Sequence, residues 1–452
     1  MKDKRARRNP KSVSQNKAPL LPSKYAQEEA IGEGFSGASF SGAVFNLSTT
    51  IVGAGIMALP ATMKVLGLGP GLFAVVLAAF LTEKSIDMVG RASRAAKVGS
   101  YAGLMGDTFG PIGRALLQVC VVTNNLGVLI VYMIIIGDVL SGTTSADGIH
   151  HSGVVVGWFG EHLWTSRGSV LILSTILVLV PLCSLKRVDS LRYTSALSVA
   201  LAVVFVVVTA GVAVMKLLEG SIDEPRMLPD ITDQASFWKL FTVVPVLITA
   251  YVCHYSVHPI ENELEDQSQM GSIVRTSLIL CACVYMATSL FGFLLFGEKT
   301  LEDVLANFDS NLRVPFGALL CDVVRLSYVL HLMLVFPIIF FSLRLNLDGL
   351  LFPYAVPIAS DERRFFVVTV GSMAFIFIGA NFIPSIWDAF QFTGATAATC
   401  IGFIFPAAIT IRDTRGIATK EDKVSSWFMM VLSMFTSMVA ISSDFYTFSD
   451  GT

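Results

Sequence analysis

The chain has 452 residues, of which 54% are hydrophobic and 15% are charged, and its mean hydropathy is +0.68. Soluble globular domains carry about 25% charged residues, so this composition indicates an integral membrane protein. The formal net charge of -2 excludes the basic surface that nucleic-acid binding requires.

Residues 1–36 differ from the rest of the chain in composition. They carry eight Lys or Arg residues and three prolines and have no apolar face, which predicts a disordered cytosolic tail. The basic stretch is not followed by a short apolar region with a small-residue cleavage site, so we expect no signal peptide. Residues 37–452 are then expected to form one membrane domain.

Eleven apolar segments after the tail are long enough to cross a bilayer, which needs about 20 residues. They cover approximately residues 40–63, 70–91, 113–141, 168–186, 192–217, 236–258, 273–297, 314–342, 364–382, 384–409 and 425–447. Of the 32 Lys and Arg residues, 23 lie in loops or at segment ends on the side of the tail, 7 lie on the other side, and Lys84 and Arg325 lie within spans. Positive charge marks the cytosolic side, so we expect a cytosolic N-terminus and a C-terminus in the lumen or outside the cell.

Two of these segments contain features that interrupt a membrane helix. In the first, Gly53 and Gly55 lie mid-membrane and Pro60 follows; in the sixth, polar residues around His254 precede Pro259. The sixth segment therefore repeats the first, which suggests two repeats of five spans. Because five is odd, the second repeat must lie in the membrane in the opposite orientation to the first. The alternative interpretation is that the glycines only let helices pack closely.

This spacing predicts an all-α membrane protein with a 5+5 inverted repeat whose first and sixth helices are broken. Repeat one covers approximately residues 40–217, repeat two approximately 236–409, and the eleventh helix approximately 425–447. An unwound turn in the bilayer leaves backbone groups unpaired, which is tolerable only where they face a cavity or a ligand. The N-terminus of a half-helix suits a carboxylate and freed carbonyls suit an ammonium group, so a small zwitterion would satisfy both.

At these breaks the sequence resembles a known family. The stretch from Asn46 to Pro60 resembles the first-helix signature of the amino acid/auxin permease family, and Cys253 to Leu264 is similar to its sixth-helix signature. The resemblance extends from about Phe40 to the C-terminus and is greatest to the plant vacuolar amino acid transporters, which are related to the sodium-coupled neutral amino acid transporters. It implies the LeuT-like fold with eleven helices and secondary active transport of amino acids.

The resemblance also implies positions for the substrate. It places the substrate carboxylate at the unwound turn of Gly53, Ala54 and Gly55, and further substrate contacts at Cys253 and His254. Other polar residues near the predicted breaks complete the set of substrate-binding candidates: Thr49, Thr50, Asn124 and Thr393.

The coupling ion is predicted from departures from the family pattern. In sodium-coupled relatives the position of Thr49 is typically Asn, and a Thr of the eighth helix aligns with Met333. A thioether is a poor ligand for a hard cation. The predicted coupling ion is therefore H⁺, with Na⁺ as the alternative, and we expect no cofactor and no bound metal.

Ionisable residues inside the predicted spans are candidates for function because a charge in the bilayer is costly. His254 and His258 titrate near neutral pH, and Asp322 and Arg325 are three residues apart and can pair on one helix face. These four are the candidates for proton coupling or gating. The alternatives are satisfied polar core residues and a structural ion pair, and His331 is expected to belong to the core.

An acidic run follows the sixth segment on the side predicted to be cytosolic. It consists of Glu261, Glu263, Glu265 and Asp266. We expect it to form a solvated loop, and the alternative is a gate that exchanges ion pairs with the basic loops.

No P-loop, His-Glu-x-x-His or Gly-x-Ser-x-Gly motif occurs, so neither an enzyme nor an ATP-driven pump is expected. The predicted function is proton-coupled symport or antiport of amino acids by a monomer that alternates access to a midplane site. Because the predicted outer loops lack cysteines and glycosylation sequons, a vacuolar membrane or other endomembrane is favoured over the plasma membrane. The alternatives are a sodium-coupled amino acid symporter and an amino acid sensor on a transporter fold.

Overall fold

The computed structural model of the protein describes residues 37–53, 55–144, 150–309, 312, 314–382 and 393–450. Within these ranges the chain folds into helices, apart from one short antiparallel hairpin. The predicted all-α fold is therefore confirmed with that single exception. The tail of residues 1–36 lies outside the described residues.

The helices of the first predicted repeat run from α1 to α8. They are α1 (Phe40–Ile51), α2 (Gly55–Leu66), α3 (Leu68–Ala96), α4 (Tyr101–Ser141), α5 (Val154–Phe159), α6 (Arg167–Ser174), α7 (Val180–Cys183) and α8 (Arg192–Leu218), with strands β1 (Gly142–Thr144) and β2 (His150–Ser152) between α4 and α5. A π-helical turn, Thr175–Leu179, joins α6 to α7.

The second predicted repeat and the last helix continue this pattern. They comprise α9 (Gln234–Tyr251), α10 (His254–Glu263), α11 (Met270–Phe296), α12 (Gly317–Leu351), α13 (Glu362–Phe382), α14 (Phe405–Arg412) and α15 (Lys420–Asp450). Two π-helical turns, Gly394–Ala398 and Cys400–Ile404, precede α14.

Both predicted helix breaks are present. Helix α1 ends at Ile51, Val52 adopts an extended conformation (φ -76°, ψ 91°), and α2 leaves at an angle of 55°. Helix α9 ends at Tyr251, and Val252 (φ -67°, ψ 111°) and Cys253 interrupt the helical backbone before α10 begins. Each N-terminal half-helix therefore presents carbonyls to the break, and each C-terminal half-helix presents amide groups.

The number of candidate spans in the structure differs from the predicted eleven. Among the described residues, eight helices are long and apolar enough to cross a bilayer, and nine if the bent α1–α2 pair is one span. Each of the eleven predicted segments overlaps described helical structure, although residues 384–392 of the tenth lie outside the described residues. Helix α3 and the α6–α7 rod are not among those nine. The count of eleven therefore stays a prediction.

The third predicted span begins earlier in the structure than residue 113. The Ser100 hydroxyl accepts a hydrogen bond from the Gly103 amide at 3.0 Å and caps α4 at Tyr101. Gly110 then takes a left-handed conformation (φ 75°) before Pro111, which bends α4 at the point where a proline cannot continue the hydrogen-bond ladder. The N-cap serine and the kink explain why apolar length alone placed the start too late.

The loops that connect the helices lie on two opposite faces of the bundle. On the N-terminal face, defined as the face where α1 begins, the backbone of Ala38 bridges to Leu264, and Arg415 pairs with Asp107 at 2.6 Å. On the opposite face, the α2–α3 turn is hydrogen-bonded to the α8–α9 connection. The loops that contact one another on the N-terminal face are ones that the sequence analysis predicts to be cytosolic.

Helix α12 forms the centre of the bundle. Its most apolar window is 83% buried, and it packs mainly against α4 and α8. Because lipid is as apolar as the protein interior, such helices are held by close packing and internal hydrogen bonds. Arg344 on α12 forms such internal hydrogen bonds. Its guanidinium donates to the carbonyl of Cys183 at 2.6 Å and to that of Leu185 at 2.9 Å.

Candidate substrate site at the two helix breaks

The two helix breaks lie side by side in the interior. The hydroxyl of Tyr285 on α11 is 2.7 Å from the carbonyl oxygen of Ile51 and 2.7 Å from that of Ala250. A Cβ atom added to Gly55 would lie 2.9 Å from Cα of Ala250. The glycine therefore lets the start of α2 pack directly on the end of α9.

A cavity lies between these breaks and α4. It leaves about 20 Å³ for the centres of water molecules, which is room for about one or two waters. Its polar side chains are Thr50, Asn124, Tyr132, Thr249 and Tyr255. An amino acid is larger than this space, so binding one requires the surrounding helices to move apart.

The backbone at the breaks supplies charge complementarity of both signs. Carbonyls at the ends of α1 and α9 carry partial negative charge, and amides at the starts of α2 and α10 carry partial positive charge. The hydroxyl of Tyr285 has one proton, so it can donate to Ile51 or to Ala250 but not to both at once. One carbonyl thus remains available to another donor.

Four of the predicted substrate-binding residues line this cavity: Thr50, Gly53, Gly55 and Asn124. The Asn124 side chain is fully buried, its Nδ2 donates to Asn125 Oδ1 at 3.0 Å, and its own Oδ1 has no partner among the described atoms. Burial without a partner is costly. Asn124 Oδ1 is therefore suited to accept a hydrogen bond from a ligand.

The other predicted substrate residues lie elsewhere. Thr49 faces α8 and donates from Oγ1 to the Ser195 carbonyl at 3.0 Å, while Cys253 is fully buried and does not line the cavity. Thr393 lies against α4, close to Gly127. Ala54 lies outside the described residues. Whether any of these positions contacts substrate stays a prediction.

His254 and His258 connect α10 to α3 and do not line the cavity. His254 Nε2 is 2.8 Å from the hydroxyl of Ser85, and that hydroxyl donates to the Gly402 carbonyl at 2.5 Å. The Ser85 oxygen is therefore the acceptor, and His254 carries its proton on Nε2. His258 Nε2 similarly lies 2.7 Å from the hydroxyl of Ser93.

The predicted pair on α12 lies towards the opposite face. The carboxylate of Asp322 accepts a hydrogen bond from Trp158 Nε1 at 2.9 Å, and Arg325 is buried. Neither residue lines the cavity. Their mutual pairing stays a prediction.

The structure adds tyrosines that the sequence analysis did not select. Tyr285 bridges the breaks, and Tyr132 and Tyr255 line the cavity. A hydroxyl inside an apolar span usually needs a hydrogen-bond partner, so a tyrosine within a span was an available signal. What the sequence lacks is the position of the partner, because these carbonyls come from residues 35 and 234 positions away.

The expectation of a solvated acidic loop is wrong for Glu263. Helix α10 extends to this residue, whose side chain is buried, and its carboxylate accepts the amide protons of Val188 at 2.9 Å and Asp189 at 2.7 Å. The carboxylate thereby binds the two amides that precede α8. This contact closes the N-terminal face beneath the helix breaks.

A second crevice lies on the N-terminal face between α3, α4 and α14. It is lined by charged residues, including Arg91, Asp413, Arg415 and Asp422. These charges already form ion pairs, because Arg91 pairs with Asp422 at 2.9 Å and Arg415 with Asp107 at 2.6 Å. The crevice is thus a set of ion pairs between helices, and the breaks remain the candidate substrate site.

The chain resembles solved transporters in fold. It matches a manganese transporter of Eremococcus coleocola with a TM-score of 0.56 at 11% identity, covering 91% of this chain and 88% of that chain. It matches a Na⁺-coupled sialic acid symporter with a TM-score of 0.53 at 11% identity, covering 92% and 93%. At this identity the likeness shows the fold, and the predicted LeuT-like architecture is confirmed.

Sequence comparison gives much closer relatives. The chain is 60% identical to amino acid transporter AVT6A of Arabidopsis thaliana over 97% of this chain and 95% of that protein. It is 58% identical to AVT6B of the same plant over 96% and 95%. These relatives are named as transporters and not as enzymes, in agreement with the prediction. Residues 36–448 match the family described as transmembrane amino acid transporter protein, and the chain therefore belongs to that family.

Proposed function

We propose that the protein is a proton-coupled secondary transporter that carries amino acids across a vacuolar or other endomembrane as a monomer. The observation that carries this proposal is the pair of adjacent helix breaks around one polar cavity. The names of the AVT6 relatives support amino acids as substrate. The resemblance to vacuolar transporters and the absence of sequons from the predicted outer loops support the membrane.

The substrate chemistry follows from the backbone at the breaks. The amides that begin α2 and α10 bind the carboxylate, and the carbonyls that end α1 and α9 bind the ammonium group. Asn124 Oδ1, buried without a partner, adds an acceptor on the α4 side. Because these groups recognise the common part of an amino acid, the side chain extends towards Tyr132 and Tyr255.

Transport then proceeds by alternating access around this site. The small cavity corresponds to a closed form, and contacts on the N-terminal face must part for the site to open there. They include the Glu263 carboxylate on the amides before α8 and the backbone bridge between Ala38 and Leu264. In this scheme His254 and His258 are gating residues, since their bonds to Ser85 and Ser93 tie α10 to α3.

Two observations favour a proton over sodium as the coupling ion. The hydroxyl of Thr49 already donates to the Ser195 carbonyl, and Met333 on α12 is buried and offers sulfur in place of oxygen. A sodium ion needs oxygen ligands. Met333 provides no oxygen to such an ion, and Thr49 provides only the lone pairs of one hydroxyl oxygen.

Uptake by proteoliposomes of the purified chain tests the proposal. A mixed set of labelled amino acids is offered with an imposed pH gradient or an imposed sodium gradient. We expect accumulation with the pH gradient alone. Accumulation that requires sodium would refute proton coupling, and saturable binding without uptake under either gradient would identify a sensor instead.

A further inference from the structure

His331 on α12 is fully buried between the first and fifth predicted spans. Its Nδ1 lies 2.8 Å from the carbonyl oxygen of Ser198 and 2.9 Å from the hydroxyl of the same residue on α8. A carbonyl oxygen can only accept a hydrogen bond, so Nδ1 carries the proton in the neutral ring. The lone pair of neutral His331 is therefore on Nε2.

The Nε2 atom of His331 is buried and has no hydrogen-bond partner among the described atoms. The backbone of Val52, the residue at which α1 breaks, also acts on this ring. A buried polar atom without a partner costs about 1–3 kcal/mol and calls for an explanation. The Nδ1 atoms of His254 and His258 also have no partner among the described atoms, so the surroundings of each ring decide between the three. The unpartnered nitrogen of the His331 ring is basic, and Val52 follows the end of α1, where the last carbonyls have no helical partner.

We propose that the coupling proton binds to Nε2 of His331 and forms a hydrogen bond with the carbonyl of Val52; this assignment rests on the proposed function. The proton comes from water on the proton-rich side when the site is open to it. An N–H bond forms, the imidazole becomes an imidazolium, and the reverse step releases the proton on the other side. No oxidant or reductant takes part.

The position at the end of α1 favours a positive charge. Carbonyls at the C-terminus of a helix carry partial negative charge, and protonated His331 would donate to carbonyls from both α1 and α8. His254 is in the opposite situation, because it is the first residue of α10, where the helix end carries partial positive charge. Helix direction therefore distinguishes the two histidines.

The remaining neighbours of the His331 ring are neutral. The phenol of Tyr328 stacks on it with centroids 5.9 Å apart, and α1 and α8 face it with the Val52 carbonyl and the Ser198 hydroxyl. Within the described part of the chain, no carboxylate or basic side chain is in contact with the ring. Arg325 lies six residues earlier on α12, about 9 Å along the helix axis.

Protonation and substrate binding are linked because they act on the same break. Val52 lies between Ile51 and Gly53, which both line the substrate cavity. A hydrogen bond from His331 to Val52 fixes the end of α1 and thereby the carbonyl and amide groups that receive the substrate. Coupling between two sites of this kind typically changes affinity by about 5- to 150-fold.

The test compares the purified wild type with His331→Gln and His254→Gln in proteoliposomes. Accumulation under a pH gradient is measured, and exchange of labelled for unlabelled amino acid is measured without a gradient. We expect His331→Gln to lose accumulation and keep exchange, whereas His254→Gln, which alters a gating residue, should slow both and keep its dependence on the pH gradient. His162→Gln, which alters an exposed histidine between α5 and α6, is the matched control.

Undiminished pH-driven accumulation by His331→Gln would overturn the assignment while leaving proton coupling intact. Wild-type accumulation that needs sodium would instead refute the proposed function. If His331→Gln loses exchange as well, a second measurement decides which histidine binds the proton. In it, the thermal stabilisation that an amino acid gives to the wild type and to His254→Gln is measured as a function of pH. We expect affinity in both to change by about 5- to 150-fold between an acidic and a neutral buffer, and a flat profile in His254→Gln alone would assign the proton to His254.

Discussion

Replacing Gly55 by alanine tests whether the contact between the two breaks controls transport. The added Cβ would lie 2.9 Å from Cα of Ala250 and 3.1 Å from its Cβ. Carbon atoms prefer separations of about 3.5–4.0 Å, so the start of α2 must move away from α9 by about 0.6 Å or more. The neighbouring atom is backbone, and it cannot turn aside as a flexible side chain would.

The size of the expected effect follows from this displacement. Overpacking of a closed interior costs about 1–3 kcal/mol, and a misplacement of about 1 Å at a reacting or binding centre lowers rates by about 100-fold. We therefore expect Gly55→Ala to lower the ratio of maximal uptake rate to KM by about 10- to 100-fold. The assay is initial uptake of labelled amino acid by proteoliposomes with equal amounts of protein.

The controls separate this contact from a general effect of alanine on a membrane helix. Gly211→Ala lies within α8, where nothing is within 4 Å of the added Cβ, and it should transport as wild type does. Adding Ala250→Gly to Gly55→Ala removes the contact at 3.1 Å but leaves the one at 2.9 Å, so we expect partial recovery. Wild-type kinetics in Gly55→Ala would refute the close approach of the breaks.

Three further substitutions test contacts that support the site. Tyr285→Phe removes the hydroxyl proton that is donated to Ile51 or to Ala250 and should lower the free energy of unfolding by about 1–3 kcal/mol. Thermal unfolding in detergent measures this change, and we expect a changed KM for uptake. Glu263→Gln weakens the closure before α8, so thiol reagents that reach the cavity should react faster with a cysteine placed at Thr50. Arg344→Lys replaces a planar fork that spans two carbonyls and should cost about 1.5–3 kcal/mol in the same unfolding assay.

Each of these predictions has a matched comparison. Tyr193→Phe alters an exposed tyrosine and should leave unfolding and KM unchanged. Glu265→Gln, on the exposed residue that follows the closure, should leave thiol reactivity unchanged. An Arg344→Lys protein as stable as the wild type would show that the fork to Cys183 and Leu185 does not hold the end of α7.

The sequence predicted the breaks well because local chemistry causes them. Gly53 and Gly55 weaken a helix within the membrane, and a second polar interruption follows at the matching place around Cys253. The hydropathy pattern also indicated the helices, because a membrane helix needs about 20 mostly apolar residues in a row. Boundaries were predicted less well, as at Tyr101, because a capping serine and a kink leave little trace in average hydropathy.

Partners distant in the chain could not be read from the sequence. Tyr285 and His331 look like ordinary polar residues of apolar spans, and their roles depend on carbonyls of Ile51, Ala250 and Ser198. Glu263 looked solvated because it belongs to an acidic run, whereas two amides of another segment bind it. In each case the deciding group is backbone, which carries no residue-specific signal.

The hydroxyl proton of Tyr285 also matters for the transporter when no substrate is bound. Net accumulation requires the empty transporter to change back from one open conformation to the other. A transporter that makes this change only with substrate bound carries out exchange alone. When no ammonium group is present, the Tyr285 hydroxyl still donates to the carbonyl of Ile51 or to that of Ala250. In the proposed transport cycle, this hydrogen bond leaves one carbonyl fewer without a donor in the empty protein and thereby lowers the cost of the return step.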